Sequence, residues 1–215
     1  MIDFTITACT EYNELKGLIY YLKNFINPDD NIIVFLDKNN TNQDMIDMVT
    51  QSGVILRFDT ETNYQKRYEY ERSQCNNPII FSFCADELPT IPLIQYGMVI
   101  FNDHPECDAI AVPRINIFTD LTPKTASKMY TGNRPQNYLL EEPINAHGWH
   151  HWPDYQIRII RNLPYITHGP YTHSNIVGYK NVGCFPADPK FAMFHVKTVE
   201  HQERILKLYD KIGLG

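Results

Sequence analysis

The sequence predicts an α/β fold with a mixed, mostly parallel central sheet flanked by helices. Three observations carry that expectation. Apolar runs of strand length alternate with amphipathic helical stretches through the first ninety residues, the pattern of a sheet with helical crossovers. Each run ends in polar residues, Cys9-Thr10, Asp37, Phe58-Asp59 and Asp86-Glu87, and ligands in such sheets sit at the carboxyl ends of the strands. Finally, 215 residues with 43% hydrophobic content suffice for one domain with a sizeable core.

Phe4 to Cys9 reads as the first strand. Thr10 then reads as a helix N-cap, with Glu11 and Glu14 in the first turn and an apolar face at Leu15, Leu18, Ile19, Leu22 and Phe25. Asn27-Pro28-Asp29-Asp30 is a turn. Ile32 to Leu36 is a continuous apolar strand ending at Asp37, and Thr41 to Gln51 is a helix carrying Met45, Ile46 and Val49. Val54 to Phe58 is a third strand, and Asn63 to Cys75 is a helix dense in Tyr, Arg and Glu. Asn76-Asn77-Pro78 turns the chain into Ile79 to Cys84, a strand that ends in two adjacent carboxylates, Asp86 and Glu87. A short apolar helix runs from Pro92 to about Asn102, and Ala109 to Phe118 is a strand bent at Pro113. Thr119 to Asp154 lacks periodicity and reads as a lid or binding loop. Gln156 to Arg161 alternates as a strand, and the last helix spans about Thr198 to Ile212. No repeat or linker divides the chain, so residues 1–215 are expected to form one domain.

The formal charge is −6, from 19 Lys and Arg against 25 Asp and Glu. This balance disfavours generic nucleic-acid binding, which needs clustered cations. A local basic strip at Lys197, Arg204, Lys207 and Lys211 remains as an exception. The five cysteines, Cys9, Cys75, Cys84, Cys107 and Cys184, have no metal-type spacing. They fit a reducing, cytoplasmic setting without disulfides. The first residues, Met1-Ile2-Asp3-Phe4, have no basic stretch of the kind that opens a signal peptide. No apolar run approaches the roughly 20 residues of a membrane span.

Several side chains are candidates for chemistry. Asp86 and Glu87 offer the hard oxygen donors that Mg2+ or Mn2+ prefers, although two carboxylates after a strand also make an ordinary acidic turn. Asp37 either caps its own strand-to-helix turn or contacts a nucleotide base or ribose. Lys66, Arg67 and Arg72 form a solvated helix face or reach a diphosphate. Both tryptophans, Trp149 and Trp152, flank His150-His151 and precede Asp154. They offer a sugar platform beside a carboxylate able to act as general base. His195 follows the apolar run Phe191 to Phe194; it is a satisfied core histidine or a metal ligand, with Lys197 on the same strand face. The remaining histidines, His147, His150, His151, His168, His173 and His201, do not have the spacing of a helical zinc pair.

Taken together these segments resemble glycosyltransferase family 2, of the short type found in bacteria and phages, with the Rossmann-like GT-A fold. The resemblance rests on Thr7-Ala8-Cys9-Thr10-Glu11-Tyr12-Asn13-Glu14, Phe35-Leu36-Asp37, Phe81 to Pro89, Pro113-Arg114-Ile115-Asn116, Trp152 to Arg161 and Phe194-His195-Val196-Lys197, in that order along the chain. One departure stands out: the family's acidic strand end reads Asp-Ala-Asp-Glu, and here Cys84 replaces the first aspartate.

The resemblance implies a metal-dependent, inverting hexosyl- or pentosyltransferase using a nucleoside diphosphate sugar, UDP-linked by preference, with Mn2+ or Mg2+. About residues 1–100 would bind the donor and about 101–215 the acceptor. Thr7, Ala8, Cys9, Glu11, Asp37, Lys66, Arg67, Arg72, Ala85, Asp86 and Lys197 would surround the nucleotide sugar. Asp86 and His195 would ligate the metal, Asp154 would be the base, and Trp149, Trp152 and Arg158 would contact the acceptor. That acceptor is either a surface glycan or a hydroxymethylated base in phage DNA. The Cys84 departure leaves a second reading open, a non-catalytic nucleotide-sugar or glycan-binding protein.

Overall fold

The structure, a computed structural model, describes residues 1–61, 63–136, 138–169 and 176–211. In chain order the elements are β1 (Ile2–Ala8), α1 (Tyr12–Phe25), β2 (Asn31–Asp37), α2 (Gln43–Gln51), β3 (Ile55–Asp59), α3 (Tyr64–Ser73), β4 (Ile79–Cys84), β5 (Glu87–Pro89) and α4 (Ile91–Asp103). There follow β6 (Ala109–Phe118), α5 (Pro123–Ala126), α6 (Tyr138–Glu141), β7 (His150–Arg161), β8 (Thr167–His168), β9 (Ile176–Val177) and β10 (Val182–Cys184). A 3-10 turn at Pro189–Phe191 leads to β11 (Met193–Lys197) and α7 (Val199–Lys211). Two compact units divide the chain, Met1–Pro113 with Tyr155–Met193, and Arg114–Asp154 with Phe194–Gly215.

In the first unit the hydrogen-bonded strand order is β3-β2-β1-β4-β7-β6, with β10 on β6. The β1-β2, β1-β4, β2-β3 and β6-β10 pairs are parallel, and β4-β7 is antiparallel. Register aligns the strand ends: Ala8 opposite Leu36, Asp37 opposite Asp59, and Thr7 opposite Cys84. The central strands are buried on both faces, which is why β2 reads as a continuous apolar run, while β1 alternates Ile2, Phe4 and Ile6 with Asp3, Thr5 and Thr7. On one face Phe4, Ile6, Val34, Leu36, Phe81 and Phe83 pack with Leu15, Leu18 and Leu22 of α1, Met45 and Val49 of α2, and Leu93 and Phe101 of α4. On the other, Ile33, Phe35, Ile80 and Ile160 pack with Cys75, Tyr68 and Tyr70.

Local chemistry sets the helix starts. Asn42, Asn63 and Thr90 cap α2, α3 and α4 by accepting from the backbone N–H three residues on. The α1 start differs from expectation. Its N-cap is Glu11, not Thr10, and its carboxylate reaches back to the N–H groups of Cys9 and Thr10, both at 2.9 Å. The first unit also buries a carboxylate that the sequence did not single out. Asp3 is inaccessible and accepts from Asn31 Nδ2 and from the N–H and Nδ2 of Asn77 at 2.8 Å, and from Asn76 N–H at 2.7 Å. These bonds tie β1 to the starts of β2 and β4.

The second unit carries the later part of β6, the start of β7 and most of β11. Its own core is small: Met129, Tyr138, Leu139, Val199 and Leu206, with Phe118 and Leu121 against them. Thr119 to Asp154, expected as a loop, contains α5, α6 and the first five residues of β7. The strand was hidden because Pro153 interrupts it, with the Trp152–Pro153 peptide cis and His151 at φ +52°. A left-handed residue and a proline both argue against a strand in sequence terms. No helix among the described residues is long and apolar enough to cross a membrane.

Candidate functional site

The carboxyl ends of β1, β2, β3 and β4 in the first unit carry a linked set of polar groups. Asp37 accepts from Asn39 N–H and Asn40 Nδ2, each at 2.9 Å, so it shapes its own turn. Cys9 Sγ lies 4.0 Å from Asp37 Oδ2. Asp59, 2% exposed, accepts from Glu61 N–H at 2.8 Å and pairs with Arg67 Nε at 2.5 Å. Arg67 also pairs with Glu71 at 3.3 Å, one helical turn on, and Thr7 Oγ1 donates to the same Glu71 oxygen at 3.2 Å. Burial pushes the Glu71 carboxyl up to about 7, against the opposing pull of Arg67. Arg67 is therefore held on the Asp59–Glu71 pair. Lys66 is exposed in the first turn of α3. Arg72 stands in its last turn, where a cation complements the helix dipole.

The acidic strand end divides its labour. Ala85 is buried, and its N–H donates to Thr7 O at 3.1 Å. Glu87 has no exposed side-chain surface. Its carboxylate accepts from Cys84 N–H at 3.0 Å and from Arg158 Nη2 at 2.6 Å. Glu87 thus clamps the turn between β4 and β5, and Arg158, expected on the acceptor side, carries the matching charge. Asp86 sits half-buried within that turn, and Cys84 is exposed just before it.

The second unit holds the most organised polar cluster. On β6, Arg114 donates to Asp154 Oδ2 through Nε at 2.9 Å and Nη2 at 2.6 Å. Asn116, two residues on and so on the same strand face, donates from Nδ2 to that oxygen at 2.9 Å. Its Oδ1 lies 2.8 Å from Nδ1 of His195 on β11. His195 is buried, and Lys197 lies with its ammonium 5.0 Å from the Phe118 ring centre. Three donors on one oxygen fix the plane of the Asp154 carboxyl. Asp154, Arg114, Asn116, Glu142, His150 and Lys197 line a polar cleft of about 190 Å³.

The aromatic segment also lies in this unit. Trp149 and Trp152 pack edge to face with centres 5.3 Å apart, and His147 lies beside Trp149 at 4.8 Å. Glu142 faces both His151 Nε2 at 3.3 Å and His150 Nδ1 at 3.6 Å. Burial of His150 holds its imidazole below the usual range, with Glu142 pulling the other way. His168 Nδ1 is 2.9 Å from Gly169 O, and His201 Nδ1 is 3.2 Å from Arg204. His173 and the side chain of Lys211 lie outside the described residues.

Among the described residues no three His, Cys, Asp or Glu side chains gather into a metal cage. Mg2+-type ions are commonly held by one or two protein groups with substrate phosphates supplying the rest. Asp86, in the first unit, and His195, in the second, are each of a donor type that such ions accept. His195 in particular has its Nδ1 engaged by an amide oxygen, as metal-binding histidines usually do.

Sequence reasoning passed over Arg114, Asn116, Glu142, Asp59 and Glu71 as site residues. A signal existed for the first two. Polar residues at i and i+2 flank a buried Ile115 in an otherwise apolar strand, which marks one face as facing polar company. Asp59 shared the strand-end position of Asp37, and Arg67–Glu71 has helical pair spacing. Glu142 carried no signal, because its role depends on the fold of an aperiodic stretch.

No protein-family model matches the chain, and no curated protein matches it. Solved structures do. S. aureus TarS 1–349 in complex with UDP-GlcNAc is similar with a TM-score of 0.59 at 12% identity, over 92% of this chain and 59% of that one. A structure of S. aureus TarS gives 0.59 at 11% identity, over 97% of this chain and 39% of that one. TarS 1–349 in complex with UDP gives 0.57 at 9% identity, over 96% and 64% respectively. The chain spans less than two thirds of the length of each. At such identities the likeness is one of fold. The protein has a GT-A-type α/β fold with a mostly parallel central sheet flanked by helices, the class its sequence predicts.

Proposed function

We propose that the protein is an inverting glycosyltransferase that moves a hexose or pentose from a nucleoside diphosphate sugar, UDP-linked by preference, to an acceptor hydroxyl. One observation carries this reading. Asp154 accepts through a single oxygen from Arg114 and Asn116 and lines a polar cleft, in a fold shared with a TarS structure that holds UDP-GlcNAc. Such a carboxylate is a suitable general base.

In the proposed reaction Asp154 takes the proton of the acceptor hydroxyl. The acceptor oxygen bonds to the anomeric carbon as the bond from that carbon to the diphosphate breaks, and the electron pair leaves with the nucleoside diphosphate. The donor would lie over Thr7, Ala8, Cys9, Glu11, Asp37, Ala85 and Asp86, with Lys66, Arg67, Arg72 and Lys197 as candidate phosphate contacts. Because Arg67 is already paired, its share would fall to guanidinium nitrogens outside that pair. Asp86 and His195 would hold Mn2+ or Mg2+, which supplies charge neutralisation for a departing diphosphate. Trp149 and Trp152 would support the acceptor sugar. Arg158 would act on the site indirectly, through Glu87.

A glycan acceptor is favoured over a hydroxymethylated DNA base. Helix α7, the source of the basic strip, also carries Glu200 and Glu203, and Lys207 pairs with Glu203 at 2.6 Å. Acidic residues interleaved with the cations, one of them already paired, weaken a phosphate track. None of the five cysteines is joined in a disulfide, in keeping with the reducing compartment expected from their spacing. A second reading, donor binding without turnover, is favoured only by exposed Cys84 in the place of an acidic residue.

Asp154→Asn tests the proposal. Release of nucleoside diphosphate should fall by about 10²–10⁴-fold with donor affinity retained. Undiminished release would remove Asp154 from the role of base.

A further inference from the structure

We infer that Asn116 is a positioning residue that sets the tautomer of His195 and the orientation of Asp154 at once. Asp154, doubly bonded to Arg114, is a carboxylate and can only accept. The Asn116 atom 2.9 Å from Asp154 Oδ2 is therefore the amide nitrogen. The amide oxygen must then face His195, and an oxygen 2.8 Å from Nδ1 can only accept. His195 consequently carries a proton on Nδ1, the arrangement that in a neutral imidazole leaves the lone pair to Nε2. This is the form that a histidine needs to ligate a cation through Nε2.

The same amide cannot rotate freely. Turning it over would set its NH2 against His195 Nδ1–H and its oxygen against the Asp154 carboxylate, losing both bonds. The sequence distance from Asn116 to each partner is large, 38 and 79 residues, so three strands are fixed by one side chain. Asn116 is also 8% exposed, and water offers little replacement for either bond.

The chemical purpose assigned here rests on the proposed roles of Asp154 and His195. The tautomer does not, and it can be read in metal-free protein without substrate. Histidine is labelled with 15N, and long-range proton–nitrogen correlations are recorded at pH 8, with His195 assigned by its loss in His195→Gln. The wild type should show His195 protonated on Nδ1. Asn116→Ala should move the proton to Nε2 or give a mixture. Asn116→Asp keeps an acceptor for Nδ1–H but cannot donate to Asp154. It should retain the Nδ1–H signature yet lower kcat about tenfold or more with donor KM little changed, a split that simple misfolding would not produce. A wild-type His195 protonated on Nε2 overturns the inference. So does an Asn116→Ala spectrum identical to wild type, or an Asn116→Asp protein that loses the Nδ1 signature while its circular dichroism is native. If the tautomer results hold and no nucleotide sugar binds, the proposed function fails and the positioning role stands.

Discussion

Replacing Glu87 by Gln separates a strut from a metal ligand. The Glu87 side chain has no exposed surface, and its oxygens are 2.6 Å from Arg158 Nη2 and 3.0 Å from Cys84 N–H. At 2.6 Å the pair attraction is about 6 kcal/mol for an effective dielectric near 20. Desolvation offsets part of this, and removing one partner of a buried pair typically costs about 3–5 kcal/mol. Arg158 keeps 19% of its side-chain surface, so water recovers some of the stranded charge and the lower figure applies. Glu87→Gln should therefore lose about 3 kcal/mol, a fall in Tm of about 6–12 °C for a chain of this size. Urea unfolding at pH 7.5 gives the number directly, provided the m-value is unchanged. Adding Arg158→Met removes the stranded cation and should recover part of the loss, because a site without net charge is tolerated better than one orphan charge. A loss below about 1 kcal/mol, or a double variant no more stable than Glu87→Gln, would refute the strut.

Other expectations follow from the same geometry. Arg114→Lys cannot reproduce the two bonds to Asp154 Oδ2 and should lower kcat about tenfold, with about 1 kcal/mol lost in urea unfolding. Glu71 has its folded pKa raised to about 7 from 4.5, so the folded state binds the extra proton between those values. Stability from this group is therefore present at low pH and lost as pH rises from 4.5 to about 7, by up to about 3 kcal/mol; Glu71→Gln should flatten that part of the stability–pH profile. Asp3→Ala strands four donors in the sheet interior and should cost about 3 kcal/mol or more in thermal or urea unfolding.

The sheet was legible because both of its faces are buried. Ile32 to Leu36 has no polar interruption and Ile79 to Phe83 only Ser82, so their strand length and their acidic ends stand out. Asp86, Asp154 and His195 were legible as strand-end or strand-adjacent polar residues. What the sequence concealed was which charge meets which. Arg158 looked like a ligand contact, yet it is the counter-ion of Glu87, 71 residues away. Asp3 drew no attention in the sequence, yet it ties β1 to the starts of β2 and β4. Such pairings depend on tertiary neighbours that no local pattern encodes. The start of β7 was hidden for a different reason: His151 at positive φ and Pro153 break the local rules for a strand, and their neighbours in the fold override them.

The central claim is nucleotide-sugar transfer. Its most direct test is a panel of nucleoside diphosphate sugars with Mn2+, following thermal shift and nucleoside diphosphate release in the same samples. The account predicts that a UDP-sugar raises Tm and that its nucleoside diphosphate is released, slowly to water and faster with a glycan acceptor, with release lost in Asp154→Asn. No thermal shift with any nucleotide sugar would contradict it.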